Sequence, residues 1–256
     1  MLSLACLLHF YGGHTQIRAV PNESFEVRAN SIWGIDQFET LYISTGDQTV
    51  LKITADTTVT YANFQLGKLS SANVFNPLKI NLFYKNFNTA VILDNRLTEL
   101  QHIDFNVIEP YRNVTFISTG YDNTLWLYNQ DLQLLELYDY RANTTRFKTV
   151  PIQGEVLDLK SDYNNCYLLT EDFLYVYTYF GNLEAKYPNK GFSKMAFSEA
   201  HIVLLGDNGY YFYSKKRNEI LPIQGLDLLI NQFLVTNETL YLYRDNLLFR
   251  YQLKFD

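Results

Sequence analysis

The sequence predicts an all-β chain folded as a single β-propeller of about six four-stranded blades, and three observations lead to it. The stretch Ile43-Ser44-Thr45-Gly46-Asp47 returns 74 residues on as Ile117-Ser118-Thr119-Gly120-Tyr121-Asp122, and Pro151-Ile152-Gln153-Gly154 returns unchanged 71 residues on at Pro222-Ile223-Gln224-Gly225. Each spacing is two units of roughly 36 to 40 residues, the length of a propeller blade. Runs of Tyr, Leu, Phe, Val and Ile alternate with polar residues between short turns, the period of a pleated strand. A turn bearing Asp or Asn recurs six times: Gly46-Asp47, Asp94-Asn95, Gln130-Asp131, Glu171-Asp172, Asp207-Asn208-Gly209 and Asp245-Asn246. Asp and Asn bond the nearby backbone and tolerate left-handed geometry, so the series reads as hairpin chemistry rather than as metal ligands.

Three units resolve into four strands each. The first is Val114–Ser118, Thr124–Tyr128, Leu134–Tyr140 and Thr144–Val150. The second is Glu155–Lys160, Cys166–Leu169, Leu174–Tyr179 and Leu183–Tyr187. The third is Lys194–Phe197, His201–Leu205, Tyr210–Ser214 and Glu219–Leu221. Outer strands end in an apolar residue and a proline (Val150-Pro151, Tyr187-Pro188, Leu221-Pro222), and Val20-Pro21 carries the same mark. The last unit offers only Leu228–Val235, Leu240–Tyr243 and Leu247–Leu253, so Gln16–Val20 is expected to supply its missing outer strand and close the ring. Phe64 to Asn76 reads as a longer loop between blades, and a divergent seventh blade has room between Phe25 and Phe75. The alternating Tyr175, Tyr177 and Tyr179, Tyr211 and Tyr213, and Tyr241 and Tyr243 read first as blade-to-blade packing.

Residues 16–256 are expected to form the domain and 1–15 a secretory signal. Leu2 to Phe10 is a short apolar run followed by Gly12 and Gly13, although no positive residue precedes it. Leu4-Ala5-Cys6 resembles part of a lipobox, but the apolar run before it is too short. No later stretch reaches the ~18 unbroken apolar residues of a membrane helix. These readings place the protein in the periplasm, with no membrane span in the mature chain. The net charge of −6, with 27 acidic against 21 basic residues, argues against nucleic acid as a partner, because phosphate binding needs clustered Lys and Arg. The one basic run, Lys215-Lys216-Arg217, falls at an expected hairpin turn.

No catalytic constellation is found, and the leading reading calls for no cofactor and no metal. Gly-x-Ser-x-Gly and Gly-rich phosphate loops are missing. His102 and His201 have no partner at metal-ligand spacing and read as strand surface; Cys166 reads as a buried thiol. Glu136, Asp139, Asp158 and Asp162 could pair as glycosidase carboxylates only if the fold brought them together. The expected inner-strand series Asp36, Asn76, Thr115, Asp158, Lys194 and Asn231 holds too few acids for a cation cage.

Thr124-Leu125-Trp126-Leu127-Tyr128 and Leu134-Leu135-Glu136-Leu137-Tyr138-Asp139 resemble the repeats of propeller proteins exported by Bacteroidota. Size and lack of reactive groups are similar to the plug component of the type IX secretion translocon. That resemblance implies a non-catalytic periplasmic protein, not an enzyme, that binds the inner mouth of an outer-membrane barrel and closes it. The alternatives are a propeller binding carbohydrate or peptidoglycan, suggested by the Tyr and Trp content, and a hydrolase or lactonase-like propeller with a channel metal. For docking on an outer-membrane complex, loop residues Phe64, Leu66, Leu69, Phe87 and Tyr121 are the candidates.

Overall fold

The computed structural model describes residues 16–255 except 47, 199–200 and 227–229. The expectations for a signal at 1–15, for Cys6 and for the Asp47 half of one turn lie outside the described residues. The chain opens with β1 (Ile17–Glu26). Blade 1 follows as β2 to β5 (Ser31–Ile35, Leu41–Ser44, Thr49–Ile53, Thr58–Ala62), and blade 2 as β6 to β9 (Ser71–Asn73, Ile80–Tyr84, Thr89–Leu93, Glu99–Asp104). Blade 3 is β10 to β13 (Val114–Thr119, Thr124–Asn129, Leu134–Asp139, Thr144–Lys148), and blade 4 is β14 to β17 (Val156–Ser161, Asn165–Thr170, Phe173–Thr178, Leu183–Pro188). Blade 5 is β18 to β21 (Phe192–Phe197, Ile202–Gly206, Gly209–Ser214, Glu219–Gln224); β22 to β24 (Gln232–Thr236, Thr239–Arg244, Leu247–Phe255) begin blade 6.

Within each blade consecutive strands pair antiparallel from inside to outside. Blade 6 takes β1 as its outermost strand, so the two ends of the chain lock the ring. β1 runs antiparallel to β24 from Ile17 opposite Phe255 to Glu26 opposite Leu247. On its other edge β1 pairs parallel with β21, Ile17 opposite Ile223 and Arg18 opposite Gln224. The last two blades thereby fuse into one eight-stranded sheet. The closing strand is longer than the expected Gln16–Val20 because it continues past a register shift between Pro21 and Glu23, where a proline with no N–H to give is tolerated on an outer strand. Pro188 and Pro222 also lie on outer strands, β17 and β21.

Alternation explains the core. Middle strands such as β7, β8, β11 and β12 are buried along their whole length, because each blade is covered on both faces by its neighbours. Tyr175 and Tyr177 of blade 4 pack with Trp126 and Tyr128 of blade 3, and Tyr213 of blade 5 packs with Tyr167 of blade 4. The tyrosine ladders thus serve blade-to-blade packing. Each fully buried aromatic removes ~150–250 Å² from water, which makes these interfaces the main stabilising element.

Two expectations need correction. Asp94-Asn95 is the turn between the third and fourth strands of blade 2. The turn equivalent to the other five is a 3-10 turn, η1 (Lys85–Phe87), closed by Asn88 in the left-handed region at φ 48. Asn performs there what Asp or Gly performs elsewhere. No seventh blade occupies Phe25 to Phe75: a single four-stranded blade fills it, followed by an inter-blade loop and β6, an inner strand of three residues.

Candidate docking face

Because strands alternate in direction, the inter-blade loops and the second-to-third-strand turns gather at one end of the ring. This end, where the chain enters each inner strand, is called the entry face. The other turns form the exit face.

The entry face over blades 2 and 3 carries an arc of exposed apolar side chains. Val150 is 78% exposed, Val107 76% and Phe64 74%, with Phe87, Tyr111 and Leu132 also open. The loops bearing them are tied to one another. The Asn106 side-chain amide donates to the Phe87 carbonyl at 2.9 Å, and that of Asn88 to the Arg112 carbonyl at 2.6 Å. Asn113 donates to Asp131 at 2.7 Å, and the Ile152 amide to the Gln133 carbonyl at 2.6 Å. Gly67, at φ +65, lies close enough beneath the Phe87 ring that a Cβ would meet Cε2 at 3.1 Å.

A buried ion pair anchors the longest of these loops, residues 105–113. Arg112 Nε meets Glu136 Oε2 at 3.1 Å, and its other guanidinium nitrogens donate to the Pro110 carbonyl at 2.8 Å and Thr145 Oγ1 at 3.1 Å. The guanidinium also sits 4.7 Å from the Tyr138 ring centre. Burial works to raise the Glu136 pKa, but hydrogen bonds from Thr145 and Asn129 and the Arg112 charge outweigh it, and the carboxyl is held below its ordinary value. A lone carboxylate inside the apolar run Leu134–Tyr138 was the sequence signal for such a partner.

The sequence candidates separate on the structure. Phe64 and Phe87 lie together on the entry arc. Leu66 and Leu69 are buried, 8% and 3% exposed, within the cluster that holds Tyr42, Val50 and Leu82; their loop folds back onto the core, so their side chains offer nothing to a partner. Tyr121 is on the exit face, its ring 5.2 Å from that of Tyr179, and exposed Phe180, Phe38 and Leu78 lie in turns of the same face. Val107, Tyr111 and Leu132 were not singled out from sequence, because an exposed apolar loop residue has no local signature.

The chemical candidates do not converge. Asp139 is held by Arg146 and by the turn amides of Arg141 and Ala142. Asp158 accepts from the Met195 amide of blade 5 and pairs with Lys160. Asp162 caps the turn at Asn164 and Asn165 and binds Lys215. Of the expected inner-strand series, Thr115, Asp158 and Lys194 lie on inner strands, Asn231 just before one, and Asp36 and Asn76 in exit-face turns. His102 pairs with Glu99 at 3.3 Å, and His201 lies between Phe212 and Phe255. Among the described residues no group of three His, Cys, Asp or Glu is placed to hold a metal. No described helix is long and apolar enough to cross a membrane.

Fold and site define the chain as a six-bladed β-propeller whose entry face carries an arc of exposed apolar side chains on interlinked loops. Its likeness to solved structures covers nearly the whole ring. Virginiamycin B lyase from Staphylococcus aureus superposes with a TM-score of 0.61 at 9% identity, over 93% of this chain and 99% of that one. The β-propeller domain of Myceliophteria thermophila Cps50 (Swd1) gives 0.61 at 8% identity, over 91% and 99%. A chain of the mitotic checkpoint complex gives 0.59 at 11% identity, over 98% and 97%. At these identities the likeness shows the fold alone. No protein-family model matches the chain, and no curated protein matches it by sequence.

Proposed function

We propose that this propeller is a non-catalytic docking protein that binds a protein partner with the entry-face arc over blades 2 and 3. The observation that carries the reading is the pre-organisation of that arc. Six apolar side chains stand exposed on loops already hydrogen-bonded to one another and anchored by a buried ion pair. Exposed apolar clusters on rigid loops are the pattern of an interface core, and rigidity lowers the entropy lost on binding.

The finer reading is that the protein is exported and docks at the periplasmic mouth of an outer-membrane secretion barrel as its plug. The apolar run Leu2 to Phe10 and the resemblance of the Trp126 and Glu136 repeats to exported propellers support it. A ring locked by its own first strand suits a part that must withstand insertion and removal. Affinity capture from detergent-solubilised envelope of the native host, read by mass spectrometry, tests both levels. Stoichiometric recovery of an outer-membrane barrel is the expected result. Recovery of the propeller alone contradicts the docking reading, and recovery of a partner that is not an envelope protein contradicts the finer one.

A further inference from the structure

The axis of the ring is closed at the exit face and open at the entry face. Phe75, in the turn after β6, reaches across from blade 2. Its ring lies 5.0 Å from that of Tyr163 in blade 4 and 5.0 Å from that of Phe197 in blade 5. Aromatic rings from three blades therefore block the passage, and what remains is a cup entered from one side.

The mouth of that cup is a polar cavity of about 460 Å³ lined by the starts of the inner strands of blades 1, 5 and 6, including Ser31, Lys194, Asn231 and Gln232. A smaller cavity of about 130 Å³ between blades 1 and 2 shares Asn30 and Ser31 with it and extends to Trp33 and Lys68. The walls are fixed. Gln232 Oε1 accepts from the Ile32 amide at 2.8 Å, and the Tyr243 hydroxyl is held by the Val27 and Ala29 carbonyls at 3.0 and 2.8 Å. Lys194 is different: its side chain is exposed and makes no ion pair or hydrogen bond among the described residues.

We propose that this cup binds a carboxylate, with Lys194 as the charged contact and the neutral donors of Asn231, Asn30 and Ser31 orienting the group. Lys194 is the one cation among the described residues lining the axial mouth, which suits a monoanion. A phosphate is a poorer match, because there is no arginine fork or run of backbone amides and the Asp245 carboxylate stands at the rim. The volume falls within the range of small-ligand sites, roughly 300–1,000 Å³, enough for the end of a peptide or one sugar ring. The carboxylate could thus come from a peptide C-terminus or from an acidic sugar. The inference stands apart from the docking arc, since it concerns blades 1, 5 and 6.

Calorimetric titration of the full chain with N-acetyl-Ala-Ala, its C-terminal amide, glucuronate and inorganic phosphate tests it, with Lys194→Met and Lys194→Arg variants alongside. Lys194 is exposed, so both variants are expected to keep the wild-type melting temperature. At least one of the two carboxylates should bind, about tenfold or more tighter than the neutral amide. Lys194→Met should remove that preference and Lys194→Arg should retain part of it; which carboxylate binds tells peptide from sugar. No binding of either carboxylate, equal binding of acid and amide, preference for phosphate, or a preference that survives Lys194→Met would each overturn the proposal.

Discussion

Arg112 and Glu136 meet 3.1 Å apart with side chains only 2% and 1% exposed, directly beneath the loop that carries Val107 and Tyr111. Two charges taken out of water gain little net stability from each other, but either one left alone is costly. The pair therefore works as a latch: it specifies one position for the 105–113 loop and penalises every other.

Removing one half of the latch should be much worse than removing both. Arg112→Met leaves the buried Glu136 with only the half-exposed Lys148, 3.8 Å away, as a charged partner and is expected to cost about 3 kcal/mol in urea unfolding. The double variant Arg112→Met/Glu136→Leu should recover most of that loss. Equal stability of single and double variants would show that Glu136 does not need Arg112.

The same pair gives a pH dependence with a fixed sign. The folded Glu136 carboxyl is held below its ordinary value of 4.5, so the folded state favours the ionised form. The resulting stabilisation is complete above that ordinary value and is lost as pH falls through the lower folded one. Wild type and Glu136→Gln should differ most near neutrality and converge in acid when unfolding is followed from pH 7 to pH 3.

Ring closure should be sensitive to a single methyl group. Gly225 sits at φ +86, and a Cβ there would lie 2.8 Å from the Ala19 carbonyl oxygen, where β1 meets blade 5. Gly225→Ala is expected to destabilise by about 1–2 kcal/mol from the backbone conformation alone, with the clash adding to it. Gly209 also has a positive φ, +127, but nothing lies within 4 Å of its Cβ position, so Gly209→Ala should destabilise in thermal unfolding through backbone strain alone, with no clash added.

Cys166 should be chemically silent in the native protein. It is fully buried between blades 3 and 4, and burial, with Asp162 adding, pushes its thiol pKa up, which suppresses the reactive thiolate. In a Cys6→Ser background a thiol reagent should label Cys166 only as fast as the protein opens. Rapid labelling without denaturant would contradict the packing described for blades 3 and 4.

The ring was legible in the sequence because its signals are local. Strand alternation and Asn or Asp turns placed blades 3 and 4 to within a residue or two, and the absence of a fourth strand after Leu247 pointed to β1. Blade 2 was the hardest to read. Its inner strand is only Ser71–Asn73, and its Asn88 turn lacks the Asp-Asn or Asp-Gly form, so Asp94-Asn95 was mistaken for it. The docking arc was half legible. Phe64 and Phe87 stood out as large apolar residues in loops, but so did Leu66 and Leu69, and only the fold shows that the second pair turns inward. Arg112 with Glu136, and Phe75 with Tyr163 and Phe197, are contacts between separate strands and loops, and no spacing along the chain records them.

The most direct test of the account is photo-crosslinking in the native host, with a crosslinking amino acid placed at Val107 or Val150 on the entry arc, at Phe38 on the exit face and at Thr60 on the outer strand of blade 1. The account predicts a discrete adduct with an envelope protein from Val107 and Val150 and none from Phe38 or Thr60. Adducts from Phe38 alone, or from no position, would contradict the claim that the arc over blades 2 and 3 is the docking face.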